Sequence, residues 1–81
     1  MKMQILFFGI AKDLVGKSTI TISTDFKMNI KELKMYLAVE FPKFKELNEY
    51  SIAVNEEYIT DIHYRLSDKD VIAIIPPVSG G

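Results

Sequence analysis

The sequence predicts an α+β fold: a mixed sheet of four to five strands, one main helix on one face, and an extended C-terminal tail. Short segments rich in strand formers stand near both ends of the chain, at 3–10 and 71–75. Between them lies one stripe of apolar residues at helical spacing, from Ile30 to Phe41. Pro76-Pro77 then ends regular structure, because neither residue can donate a ladder hydrogen bond. With 81 residues there is room for one domain, expected to occupy 1–75, with 76–81 as a flexible tail.

Each element has its own signal. Met3 to Ile10, Met-Gln-Ile-Leu-Phe-Phe-Gly-Ile, is too short for a good helix and reads as a strand. Met3, Ile5 and Phe7 fill one face and Leu6, Phe8 and Ile10 the other, so both faces are apolar. Asp13 to Lys17, with Gly16, supplies a turn. Thr19-Ile20-Thr21-Ile22-Ser23 alternates as a hairpin partner exposed on one side. Asn29, with Glu32 three residues on, forms a capping box that starts the helix. Ile30, Leu33, Leu37 and Phe41 make its apolar stripe, Tyr36 widens it and Pro42 stops it. A further turn over Pro42–Glu49 turns Phe44 and Leu47 inward. Ser51–Val54 is a strand, Asn55-Glu56-Glu57 a tight turn, and Tyr58-Ile59 a short strand. Leu66–Asp70 turns into Val71-Ile72-Ala73-Ile74-Ile75, a run suited to a central strand covered on both faces. The order β-β-α-β-β-β, with its final strand between earlier ones, fits a β-grasp arrangement. A ferredoxin-like unit needs a second full helix, and Tyr58–Asp70 is too short and irregular to supply one.

Composition excludes more than it identifies. At 48% hydrophobic and 26% charged, the chain has the makings of an ordinary globule and not of a disordered segment. It contains no cysteine, which removes disulfides, thiolate metal sites and cysteine nucleophiles together. A net charge of −1 argues against nucleic acid as a partner. No apolar run reaches the roughly 18–20 residues of a membrane span, and no signal-peptide pattern precedes the first strand, so a cytoplasmic protein with no membrane partner is expected.

Catalytic constellations are scarce. His63 is the only histidine, so no histidine pair is available for a metal, and none is expected. Asp68 and Asp70 lack the further spaced oxygens and central glycine of a calcium loop and read as turn chemistry. The serines lie in no nucleophile elbow, and Gly9 and Gly16 stand apart, not in a phosphate loop. What remains is the end of the chain. From Val71 onward no side chain is charged. Gly80-Gly81 is a thin segment without side chains, able to enter a slot closed to bulkier residues. Beyond Pro77 it reaches at most about 13–14 Å. The two prolines stiffen its root. The pattern is a carboxylate on a stalk.

Ile5-Leu6-Phe7-Phe8, Lys12-Asp13-Leu14-Val15-Gly16, Ala53-Val54-Asn55, Leu66-Ser67-Asp68-Lys69-Asp70 and Pro76-Pro77-Val78-Ser79-Gly80-Gly81 together resemble the MoaD/ThiS family of ubiquitin-like sulfur carriers. The terminal hexapeptide most resembles the molybdopterin synthase small-subunit branch. Where that family often has Asp-Gly-Asp, this chain places Lys69. The resemblance implies that an ATP-dependent activating enzyme, similar to those that charge ubiquitin, adenylates the Gly81 carboxylate. A sulfur relay protein then supplies the sulfur of a C-terminal thiocarboxylate. Inside the large synthase subunit, in a heterotetramer of two small and two large chains, that sulfur builds the dithiolene of a pyranopterin. Catalytic side chains then belong to the large subunit, no cofactor is bound here, and ATP is used only by the activating enzyme. The resemblance also implies partner contacts at Phe8, Tyr58 and Ile75, followed by Pro76, Pro77, Val78 and Ser79, with Gly80 and Gly81 entering the partner. From the residues alone, Phe8, Tyr58 and Ile75 fit either core or interface. A thiamine-pathway sulfur carrier and a ubiquitin-like protein modifier are the alternatives.

Overall fold

The computed structural model describes residues 1–47 and 49–77. Its elements are β1 (Lys2–Phe7), α1 (Gly9–Val15), β2 (Thr19–Ser23), α2 (Ile30–Glu40), a 3-10 turn (Pro42–Glu46), β3 (Ser51–Val54), β4 (Glu57–Tyr58) and β5 (Val71–Ile75). The sheet order is β2-β1-β5-β3-β4. β5 runs parallel to β1 and antiparallel to β3, and all other pairs are antiparallel. The last strand therefore lies at the centre, as expected for a β-grasp fold.

Strand alternation sorts the side chains between two faces. Met3, Ile5 and Phe7 of β1, Ile22 of β2, Ile52 and Val54 of β3, and Ile72 and Ile74 of β5 are buried against α2, which supplies Ile30, Leu33 and Leu37. Phe41 and Phe44 close one end of this core, each with its ring centroid 6.0 Å from that of Phe7 in edge-on geometry. Tyr50 meets Phe44 at 5.2 Å.

All four otherwise orphaned N–H groups at the start of α2 find acceptors. Asn29 Oδ1 accepts from Glu32 N at 2.8 Å and Glu32 Oε1 accepts from Asn29 N at 3.0 Å, the expected capping box. Ile30 N donates to Tyr64 O and Lys31 N to Ile62 O. The irregular stretch before β5 is thus held by the helix start and needs no helix of its own.

Three expectations need correction. The first strand does not run from Met3 to Ile10; it ends at Phe7, and Gly9 at φ +56° turns the chain into α1, which carries Ile10. The turn placed at Asp13–Lys17 is mostly the second half of that helix. Only Gly16, left-handed at φ +83°, acts as the terminator, donating its N–H to Lys12 O. Finally, β5 is covered on one face only. Val71 remains 37% exposed, and Ala73 and Ile75 are half-buried.

Candidate functional site

The uncovered side of the sheet is the feature to explain. Cross-strand register links Thr19, Leu6, Ala73, Ala53 and Tyr58 into one row across all five strands. The two alanines sit in the middle of that row, with Leu6 on one side and Tyr58 on the other. Small side chains flanked by large ones make a saucer. Its volume is about 560 Å³, and Phe8, Val71 and Ile75 complete its apolar wall while Asn55 and Glu56 form a polar rim. Phe8 is 48% and Tyr58 67% exposed, values that exclude core positions for both. The result is an apolar concavity with a polar rim on the open face of the sheet.

Local chemistry holds the wall in place. Phe8 keeps extended backbone and donates its N–H to Ile74 O, so its ring stays aligned with the open face although β1 has ended. Tyr58 follows a tight turn in which Asn55 (φ +51°) and Glu56 (φ +74°) are both left-handed, the backbone of a type I′ hairpin. Asn55 also clamps that turn to β5. Its Oδ1 accepts from Val71 N at 3.0 Å, its Nδ2 donates to Asp70 Oδ1 at 3.0 Å, and its own N–H donates to Val71 O at 2.8 Å. Asp70 Oδ2 accepts from Ser67 N and Asp68 Oδ1 from Lys2 N, so both aspartates serve the turn.

The tail root leaves from the rim of this face. Ile75 ends β5, Pro76 is half-buried and Pro77 exposed. A Cβ built on Gly9 would stand 3.2 Å from Pro76 Cγ, so the turn after β1 and the start of the tail are packed together. Beside Pro77 lies a second, more polar hollow with Lys34, Glu49, Tyr50 and Ser51. There Lys34 Nζ sits 5.6 Å from the Tyr50 ring centroid, and burial raises the Tyr50 hydroxyl above its ordinary pKa. Val78, Ser79, Gly80 and Gly81 lie outside the described residues.

The structure therefore brings Phe8, Tyr58 and Ile75 to one hollow, with Pro76 following against Gly9 and Pro77 beside the second hollow, and adds residues that sequence reasoning missed. Leu6 and Val71 could have been flagged by the two-sided apolar pattern of their strands. Ala53 and Ala73 carried no signal, because their importance depends on which strands pair. Gly9 was passed over as an isolated glycine. Among the described residues no group of three or more His, Asp or Glu side chains could hold a metal, and no helix is long and apolar enough to cross a membrane.

A model of the ThiS family matches residues 5–81. The chain belongs to the ThiS family. Within it, the chain is similar to the molybdopterin synthase sulfur carrier subunit of Dictyostelium discoideum, at 40% identity over 88 residues, covering 99% of this chain and 96% of that one. It is also similar to a chain in the complex of subunits 1 and 2 of molybdopterin-converting factor from Helicobacter pylori. That match has 33% identity, full coverage of both chains and a TM-score of 0.73. Small archaeal modifier protein 1 from Methanosarcina acetivorans shares the fold, with a TM-score of 0.80 at 19% identity over 99% of this chain and 96% of its own.

Proposed function

We propose that this protein is the sulfur carrier subunit of a molybdopterin synthase, working in the cytoplasm with the large synthase subunit in a heterotetramer of two small and two large chains. The observation that carries the reading is the apolar saucer beside the tail root, in a chain similar to the molybdopterin synthase sulfur carrier subunit of Dictyostelium discoideum and to a chain of the Helicobacter pylori molybdopterin-converting factor complex. Docking on Phe8, Tyr58 and Ile75 would fix the direction in which Pro76 to Gly81 leaves the domain.

The chemistry then belongs to the terminus. The Gly81 carboxylate attacks the α-phosphorus of ATP on the activating enzyme, forming an acyl-adenylate and releasing pyrophosphate. A persulfide on the relay protein attacks the acyl carbon and expels AMP. A relay thiol then takes the inner sulfur of that acyl disulfide into a disulfide of its own, leaving the thiocarboxylate on Gly81. In the large subunit, transfer of that sulfur to the pyranopterin precursor and hydrolysis return the carboxylate, and two rounds make the dithiolene. No side chain of this protein acts as acid or base in these steps. Its contribution is orientation, and a terminus with no competing thiol in the chain.

The test is intact mass after incubation with activating enzyme, ATP and sulfur donor. Exchange of oxygen for sulfur at an activated acyl group should add about 16 Da, located at Gly81. Adding large subunit and precursor should then give dithiolene. Thiazole formation would move the protein to the thiamine pathway, and an isopeptide bond from Gly81 to lysine would make it a modifier.

A further inference from the structure

The edge strand β2 has an unfilled backbone whose chemistry fits itself. Met1 and Thr24 exchange both hydrogen bonds, and Phe7 N donates to Ser18 O. In an antiparallel ladder such pairs recur at every second residue. The even-numbered residues of β2 therefore bond to β1, while Thr19, Thr21 and Ser23 point their N–H and C=O groups away from the sheet. β2 is the end strand of the sheet and Thr19, Thr21 and Ser23 are exposed, so this row is uncovered. The opposite edge, β4, has only two residues and carries Glu57. By contrast β2 has five, with no charge, no proline and no bulge, and so lacks the usual protection of an edge.

We propose that β2 pairs with β2 of a second copy, antiparallel about a two-fold axis through Thr21. Three features select this partner and this register. The register sets Thr19 opposite Ser23 and Thr21 opposite itself, so each outward donor and acceptor of the strand meets one from the copy. Ile20 stands across from Ile22, and the other cross-strand pairs are hydroxyl residues, both favourable combinations. Continued by two residues at each end, the register places exposed Lys17 across from exposed Asp25 of the second copy, twice by symmetry. Sliding it two residues one way opposes Lys17 to Lys27, and the other way leaves Asp25 facing Val15. The two-fold axis stands perpendicular to the sheet, so both apolar saucers and both tail roots lie on the same side of a ten-stranded sheet. Two five-residue strands bury less than the roughly 1,200 Å² of a stable complex, which points to a weak dimer with Kd of roughly 0.1–1 mM.

The test follows the full chain by sedimentation and NMR from about 0.05 to 2 mM, a range that spans that Kd. Faster sedimentation with concentration is expected, with the amide signals of Thr19, Thr21 and Ser23 moving together. Thr21→Pro removes an outward N–H and no bond to β1, so it should abolish association and keep the monomer spectrum. Thr21→Lys serves the same end should proline disturb the fold. Lys17→Asp should weaken association roughly tenfold, and Lys17→Asp with Asp25→Lys should restore it. A chain monomeric throughout, or a dimer indifferent to Thr21 and to the charge exchange, would overturn the proposal.

Discussion

Lys69 sits at φ +70° and donates its N–H to Lys2 O at 3.0 Å, so the turn before β5 needs a left-handed residue where this chain has a bulky one. A non-glycine residue there costs about 1–2 kcal/mol, partly offset because glycine gains freedom in the unfolded chain. Lys69→Gly should therefore stabilise the protein by about 0.5–1 kcal/mol, read as a higher midpoint in urea with unchanged slope. Gly9 and Gly16 are the reverse case. Both are left-handed, but a Cβ on Gly16 meets nothing within 4 Å, whereas one on Gly9 presses on Pro76. Gly16→Ala should cost about 1 kcal/mol, from backbone strain alone. Gly9→Ala should cost more and, unlike Gly16→Ala, shift the NMR signals of Pro76 and Pro77. Equal losses with an undisturbed tail root would show that the contact does not position the tail.

At the level of elements, α2 was the most legible part because its capping box and apolar stripe are both local in sequence. Asn29→Ala should cost about 1 kcal/mol, since it removes the acceptor for Glu32 N at a half-buried helix start. Urea unfolding measures the loss, and hydrogen exchange at Ile30 and Lys31 should quicken if the 61–66 segment loosens with it. The strands were legible for the same local reason, although the first ends at Phe7 and the short fourth is Glu57–Tyr58, one residue earlier than the expected Tyr58-Ile59. Helix α1 was not. Seven residues hold barely two turns, no side chain caps its start, and its apolar residues continue the pattern of the strand before it. The irregular stretch before β5 accepts from Ile30 N and Lys31 N at the start of α2, partners that lie far from it in sequence.

For the whole molecule, the legible part of the site was its edge, and its floor was hidden. The aromatic and proline residues around the tail root carry recognisable types, whereas Ala53 and Ala73 become a floor only because β5 inserts between β1 and β3. The saucer makes a prediction that separates contact from shape. Tyr58→Ala removes an exposed aromatic wall and should weaken binding of the large synthase subunit by ~2 kcal/mol, about thirtyfold. Ala73→Leu removes no contact; it fills the floor between Leu6 and Ala53 with an apolar side chain on an open sheet face. It should leave the stability of the free chain within ~0.5 kcal/mol of the wild type. Yet it should weaken the complex at least as much as Tyr58→Ala, because the partner's apolar group loses its seat. Titration calorimetry against the large subunit, beside urea unfolding of each free variant, makes the comparison. Wild-type affinity in both variants would mean that the partner docks elsewhere and that the open face of the sheet has another use. Loss in Tyr58→Ala alone would mean that the partner touches the wall without entering the hollow.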